Sequence, residues 1–303
     1  MLPPLVAVLL AGMAIPTALG CSAHNGLPGP HSVLPRRGVS KQGGVVIWSW
    51  GRCGTGTLYE TMLATATASN MTMQGLCGIK EGLHGDCIKD SEIDRCLSHV
   101  RHDASYLTHI KPHYVRGSRW PAGAKGLMTF MQKRGTKVVV VVKRDNWLAR
   151  DVSAVEMHIK PAIKRGQDPR TSCDSPIFKG MSCPGNCVDT FRRYQYEVDN
   201  GIKTARKLGL RVVPLTFTHA NWPCGGVSQI MTAAAETGVL ARLPSPLCVE
   251  KDSHTGARSH LSDNTLEGKL GTCMARRIRK ELKDTEYEWM LDLTREAPPG
   301  AEL

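Results

Sequence analysis

The chain has 303 residues, 41% of them apolar and 22% charged, and a formal net charge of +12. That length supports one large α/β domain or two small ones, and the apolar content excludes a disordered chain. The positive charge suits anionic ligands such as nucleotides, acidic glycans, nucleic acid or an anionic membrane surface. Nucleic acid is the least favoured of these, because none of the six Trp, six Tyr and four Phe is interleaved with the basic runs.

Leu5 to Leu19 is an almost unbroken apolar run, and Ala18-Leu19-Gly20 places small residues at the −3 and −1 positions of a cleavage site before Cys21. This pattern reads as a secretory signal peptide over 1–20, or as a short signal anchor. Residues 21–42, rich in Pro, Gly and Arg, form a flexible lead-in; 43–295 read as one domain and 296–303 as a tail. Inside the domain, Val45 to Trp48 is a β-rich run, and Thr57 to Ala68 has helical spacing. Met71 to Asp90 carries several glycines and no period, so it reads as loop; Asn70-Met71-Thr72 is a glycosylation sequon. Ser91 to Val100 is a short helix, Tyr106 to Ile110 a strand, and Gly123 to Lys133 a helix. Lys137 to Lys143 holds five consecutive valines, the signature of a central strand covered on both faces. Trp147 to Ile159 is helical, Thr171 to Asn186 an irregular insertion, and Val188 to Leu208 a long basic helix. Leu210 to Thr218 is a strand and Gln229 to Thr237 a helix, followed by a Pro-rich loop. Ser253 to Thr272 reads as polar loop, Cys273 to Leu282 as a basic helix, and Thr285 to Leu291 as a docking segment. Strands alternating with helices predict a three-layer α/β domain with a mostly parallel sheet. No internal repeat is visible.

Eleven cysteines in a chain with a leader-like start predict disulfides formed in an oxidising lumen, with pairings the spacing leaves open. Cys77, Cys87 and Cys96 form one local group and Cys173, Cys183 and Cys187 another. Cys183-Pro-Gly-Asn-Cys187 lacks the partner pair a zinc site needs, so no metal is expected.

The chain is organised around Val45 to Met62, where a short strand runs into Gly51, Gly54 and Gly56 and then into a helix. Strand, Gly-rich turn and helix start make an anion site, because glycine lets the backbone approach a ligand and the first helical N–H groups point at it. Arg52, Thr55 and Thr57 add a cation and two hydroxyls. Gly51 and Gly56 have Walker A spacing, but Thr57 stands where that loop needs lysine, which disfavours a nucleotide kinase. Gly54 and Gly56 begin a dinucleotide fingerprint, but Tyr59 fills its third glycine position. The pattern that remains, Arg52-Cys53-Gly54-Thr55-Gly56-Thr57-Leu58 after a strand, resembles the 5′-phosphosulfate loop of the sulfotransferases that use 3′-phosphoadenosine-5′-phosphosulfate (PAPS).

About ninety residues later, Arg144 follows the valine strand and Ser153 lies on the next helix. A guanidinium and a hydroxyl at the carboxyl end of an open α/β sheet suit a terminal phosphate. Arg144-Asp-Asn-Trp-Leu-Ala-Arg-Asp-Val-Ser153 resembles the element that holds the 3′-phosphate of PAPS in the same family, with nine residues from Arg to Ser where many members have eight. The resemblance implies a P-loop-like sulfotransferase fold, of the heparan/carbohydrate or algal/bacterial type. It further implies PAPS as co-substrate, held by Arg52, Cys53, Gly54, Thr55, Gly56, Thr57, Arg144 and Ser153. Leu266-Glu-Gly-Lys-Leu and Thr285 to Leu291 are similar to C-terminal wording in bacterial and algal members, and Lys269 with Gly271 is a candidate for a loop closing over the nucleotide.

Sulfuryl transfer needs cations at the leaving oxygen and a base for the acceptor hydroxyl. Glu60, eight residues past Arg52, is the leading base, at the position of a catalytic glutamate in heparan-type members. Thr108-His-Ile-Lys-Pro-His-Tyr114 resembles a Lys-(Thr)-Pro-x-Tyr segment beside the sulfate in those enzymes, which makes Lys111 a candidate for the bridging oxygen. His109 or His113 is an alternative base, and His84 a more distant one. The basic stretches Arg192-Arg193, Lys203 to Lys207 and Arg276 to Lys283 are solvated helix faces, or a rim for an anionic glycan or for the adenosine phosphates. The expectation is a secreted or Golgi-lumenal sulfotransferase acting on a hydroxyl acceptor, on a carbohydrate in the favoured case. The alternative is an inactive sulfotransferase-like protein that binds anionic glycans. Neither needs a metal or nucleic acid, and a membrane enters only through an uncleaved N-terminal anchor.

Overall fold

In the computed structural model, residues 43–76, 90–115, 122–181, 183–217, 222–250, 263–295 and 297 are described. The expected leader, lead-in, His84, Cys77, Cys87 and almost all of the tail lie outside them.

The branched, apolar runs take the middle of the sheet. β1 (Gly44–Ser49) and β4 (Thr136–Lys143) pair side by side, with Val46 opposite Val139 and Trp48 opposite Val141. β1 is buried along its whole length, and Val138 to Val142 are each at most 1% exposed. Residues with both faces covered need no polar alternation, which is why the valine run reads as it does. β3 (Ser105–Ile110) lies on the other side of β1, and β2 (Met73–Gly75) and β5 (Arg211–Thr216) form the edges. The order is β2-β3-β1-β4-β5 and every pairing is parallel. The three residues of β2 fall in a stretch expected to be loop; their pairing with Ser105 to Leu107 of β3 makes them a strand despite weak local propensity.

Parallel strands require crossovers, and helices supply them. α1 (Thr55–Ala68) and α6 (Cys224–Glu236) pack on one face of the sheet; α3 (Gly123–Lys133) and α5 (Cys187–Lys207) pack on the other. The three-layer α/β arrangement is the expected one. α2 (Asp90–Ser98) follows β2, and α4 (Trp147–Lys164) leads from β4 towards α5. Gly201 is what lets α5 settle on the sheet: a Cβ there would collide with the indole of Trp48, whose Nε1 donates to Glu197 O at 3.3 Å. The expected insertion at 171–186 contains a 3-10 turn, Pro176–Gly180, and a second turn, Pro169–Thr171, precedes it.

The chain ends in α7 (Leu266–Leu270) and α8 (Thr272–Leu282). α7 lies in a segment expected to be polar loop; Leu266 and Leu270 are buried, and Thr265 caps it by accepting from Gly268 N. The disulfides are Cys173–Cys273, Cys183–Cys187 and Cys224–Cys248, and Cys96 is also disulfide-bonded. Cys173 therefore pairs with α8, 100 residues away, and not inside its local group. Disulfides fit a secreted or lumenal protein. Among the described residues, no helix is long and apolar enough to cross a membrane.

Lys269, the candidate for a nucleotide-covering loop, is committed elsewhere. Its Nζ lies 3.1 Å from Glu156 Oε1 of α4, and both side chains are 6% exposed. A buried pair loses far more from removal of one partner than from replacement of both. Lys160 stands 3.7 Å from the same oxygen, so Lys269→Ala is expected to destabilise the protein by about 1–3 kcal/mol in urea unfolding, whereas the apolar double variant Glu156→Leu/Lys269→Met recovers most of that loss.

Candidate functional site

β3 and β4 flank β1 on opposite sides, and the connections α1 and α3 leave on opposite faces of the sheet. Open α/β sheets form a crevice at such a point, beyond the carboxyl ends of the strands. The loop Trp50 to Gly54 begins there. Two of its residues take left-handed backbone, Arg52 with φ 70° and Gly54 with φ 68°. Glycine adopts this freely, but at Arg52 it costs about 1–3 kcal/mol, which the surroundings must offset.

They do so by gripping the loop's carbonyls. Arg150 of α4 donates from Nε to Gly51 O at 2.9 Å. Trp222 donates from Nε1 to Gly54 O at 3.1 Å. Because C=O and N–H are antiparallel across a trans peptide, the N–H groups of Arg52 and Thr55 point away from these holders. A Cβ on Gly54 would lie 2.5 Å from both the Phe217 ring and Trp222 Nε1, so only glycine fits. α1 then starts with no side-chain cap and no acidic residue in its first turn. Its first N–H groups, on Thr55, Gly56 and Thr57, have no intrahelical acceptors. A Cβ on Gly56 would meet nothing within 4 Å, so the loop is open at that point.

Cations surround the loop. Arg52 donates to Ser153 Oγ from Nε at 3.2 Å and from Nη2 at 3.1 Å, joining residues 101 apart in sequence; its Nη1 contacts Met157 Sδ at 3.1 Å. Arg144, at the end of β4, stacks over Phe217 at 5.4 Å. Among the described residues no carboxylate pairs with Arg144; burial, and after it the Arg52 charge, presses its pKa down. A guanidinium stays charged under such pressure, so an anion relieves it. Lys111 is half-buried, with its ammonium 3.7 Å from where a Cβ on Gly51 would lie. Cys53 is fully buried, and burial pushes its thiol pKa up against the pull of Arg150, Arg144 and Arg52. A neutral, enclosed thiol has a packing role.

Eight expected binding positions, Arg52 to Thr57 with Arg144 and Ser153, therefore gather at one end of the sheet. The pairing differs in one respect: Ser153 is hydrogen-bonded to Arg52 of the loop and not to Arg144 of its own segment. The expected catalytic residues separate. Glu60 is half-buried on α1, near the crevice end. His109 is 3% exposed inside β3, its Nε2 3.1 Å from Ser49 O, which gives it a structural partner. His113 stacks on Trp50 at 5.0 Å. The Cys183–Cys187–Glu281 group cannot serve as a metal centre, because its two thiols are joined and Glu281 accepts from Gly185 N and Cys187 N at the start of α5.

Sequence reasoning missed the loop's holders. Arg150 lies one turn before Ser153 and bonds Asp151 and, at 3.1 Å, the Tyr194 hydroxyl, which itself donates to Asp151 at 3.2 Å. Its guanidinium also covers Trp50 and Tyr194 at 5.2 and 5.0 Å. Burial presses the Arg150 pKa down, but Asp151 outweighs it and the net shift is upward; on Asp151 burial outweighs Arg150, and the carboxyl is pushed above its usual range. Asn146 was likewise unrecognised. It caps α4 by accepting from Ala149 N at 2.8 Å, and its amide donates to carbonyls of Met290, Asp292 and Arg295. The C-terminal segment is thereby fixed beside Arg144. The visible signal for both residues was the Arg-Asp-Asn…Arg-Asp wording itself.

Fold and loop together define a three-layer parallel α/β protein whose central strand ends in a cation-ringed turn able to hold a tetrahedral anion. Compared with family models, curated proteins and solved structures, the chain matches none.

Two outcomes follow from this geometry. Gly56→Ala is expected to leave stability unchanged or raise it by up to about 1 kcal/mol, since alanine favours the helix, while it weakens anion binding, measured by sulfate or nucleotide titration. Arg150→Met leaves Asp151 buried without its cation and should cost about 3–5 kcal/mol. The Asp151 carboxyl then has a folded pKa still further above its unfolded value of about 4, so the variant's deficit in urea unfolding grows as pH rises from there.

Proposed function

We propose that the protein is a sulfotransferase that moves a sulfuryl group from PAPS to an acceptor hydroxyl, on a carbohydrate in the favoured case, in the Golgi lumen or outside the cell. The observation that carries this reading is the Arg52–Ser153 contact. It brings the two elements that resemble phosphosulfate- and phosphate-binding segments to one place, although 101 residues separate them. The open space above Gly56 and the guanidinium of Arg144, which pairs with no carboxylate among the described residues, fit a doubly phosphorylated nucleotide.

On this reading PAPS supplies an activated sulfur–oxygen bond. The loop N–H groups, Arg52 and Thr57 hold the 5′-phosphosulfate end, and Arg144 with Ser153 holds the 3′-phosphate. Transfer forms a bond between acceptor oxygen and sulfur and breaks the bond from sulfur to the 5′-phosphate oxygen, which keeps the electron pair. Arg52 and Lys111 stabilise the charge that builds on that oxygen. Glu60 takes the acceptor's proton. His109, held by a backbone carbonyl in the sheet, is not given that role.

The test is calorimetric titration of 3′-phosphoadenosine-5′-phosphate into the folded protein. Micromolar binding is expected, with a loss of about tenfold or more in Arg52→Ala and in Arg144→Ala, as removal of a charge-assisted hydrogen bond implies. Absence of binding by correctly folded protein overturns the reading. Glu60→Gln should leave nucleotide binding intact and lower transfer to an identified acceptor by about a hundredfold or more.

A further inference from the structure

α5 buries one face on the sheet through Phe191, Tyr194, Val198 and Ala205. The opposite face has no such task. At helical spacing it carries Arg193, Tyr196, Lys203 and Lys207, and all four are exposed. Tyr196 is 68% exposed, more than Met157, Leu243 or Leu247, the other large apolar side chains that reach solvent among the described residues. Among the described residues no carboxylate pairs with Arg193, Lys203 or Lys207.

The acidic residues of the helix make no ion pair with these cations, although Asp189 lies one turn before Arg193 and Asp199 one turn before Lys203. Asp189 stands in the first turn, where an acid complements the helix dipole. Asp199 accepts from Gln195 at 3.1 and 3.2 Å, and Glu197 is half-buried. The neighbouring Arg192 is tied to Glu286 at 2.7 Å. Other surface arginines are matched in the same way, Arg134 by Asp94 and Arg279 by Glu267. The ridge on α5 is thus a place where cations and a large aromatic stand in water without the ion pairs given to their neighbours, although the Arg193 charge also acts on Asp151.

We infer that this ridge binds a linear anionic polysaccharide, sulfated or carboxylated. From Arg193 to Lys207 it runs about 21 Å, enough for several sugar units. Cations placed along a line match charges that recur along such a chain, and the flat face of Tyr196 suits the apolar face of a sugar ring. Disulfides fit an oxidising compartment, where such polymers occur and nucleic acid does not. One end of the ridge adjoins the loop: the Arg193 guanidinium lies 5.7 Å from the Tyr194 ring, and Tyr194 bonds Arg150, which holds Gly51. The other end adjoins the last turn of α3, where Gln132 donates to Leu208 O at 2.6 Å. A polymer lying on the ridge would approach the mouth of the cradle, yet the surface stands or falls independently of what the cradle binds.

The experiment titrates a heparin oligosaccharide against wild-type protein, Arg193→Gln/Lys203→Gln/Lys207→Gln and Tyr196→Ala at several salt concentrations. The triple variant is expected to lose about tenfold or more in affinity, with a slope of log K against log salt shallower by about two to three. Tyr196→Ala should weaken binding without changing that slope. Binding of 3′-phosphoadenosine-5′-phosphate should be the same in all three proteins. Equal heparin affinity in wild type and variants overturns the inference. So does tighter binding of a single-stranded oligonucleotide or of phosphatidylserine vesicles than of heparin at the same salt.

Discussion

The hydrogen bond from Arg150 to the carbonyl of Gly51 is the contact on which the rest of the site depends. A loop with a non-glycine residue at positive φ reverts to extended backbone unless something outside it fixes the peptide planes. Arg150 does this from α4 and Trp222 from beyond β5. Both grip carbonyls, so the amide groups are turned the other way as a consequence and not by contacts of their own. The cradle is therefore imposed on the loop by its neighbours more than it is encoded within it.

That arrangement has an electrostatic cost. Arg52, Arg144 and Arg150 all act on Cys53, and Arg52 and Arg144 act unfavourably on one another. Arg150 is balanced by Asp151. Keeping like charges together in a partly buried place makes sense where negative charge is to be received, because the repulsion is relieved on binding. The same logic separates the two uses of arginine here. Arg150 serves structure, with carboxylate, hydroxyl and two aromatic rings around it, and Arg144 is held over Phe217 with no carboxylate partner among the described residues.

Much of the fold was legible because its strongest elements are locally consistent: the valine run, the strand before the glycines and the long amphipathic α5 all form where their patterns place them. What escaped was set by distant partners. β2 is three residues long and exists because β3 offers an open edge. α7 is a five-residue helix formed around two buried leucines in a polar stretch. The pairing of Cys173 with Cys273 has no local trace. In the site, residue types that bind anions were visible from the sequence, whereas the residues that shape the loop were not. Arg150 and Asn146 act through backbone carbonyls, and nothing in a side chain's identity announces which carbonyl it will meet. His109 shows the converse, a chemically capable side chain that the sheet has enclosed.

The strand order also bears on how the molecule comes into being. Among the described residues β1 is the first strand to be made and the middle one in the sheet, so it cannot acquire both neighbours until β4 has followed it. Arg52 meets Ser153 only after a further hundred residues, and Asn146 waits for carbonyls at 290 to 295. Contacts of such separation form late and slowly. A nascent chain on the ribosome would thus carry its glycine loop unshaped until Arg150, and after it Trp222, had been made. The cradle becomes a cradle only when Arg150 and Trp222, made long after the loop, have closed on its carbonyls.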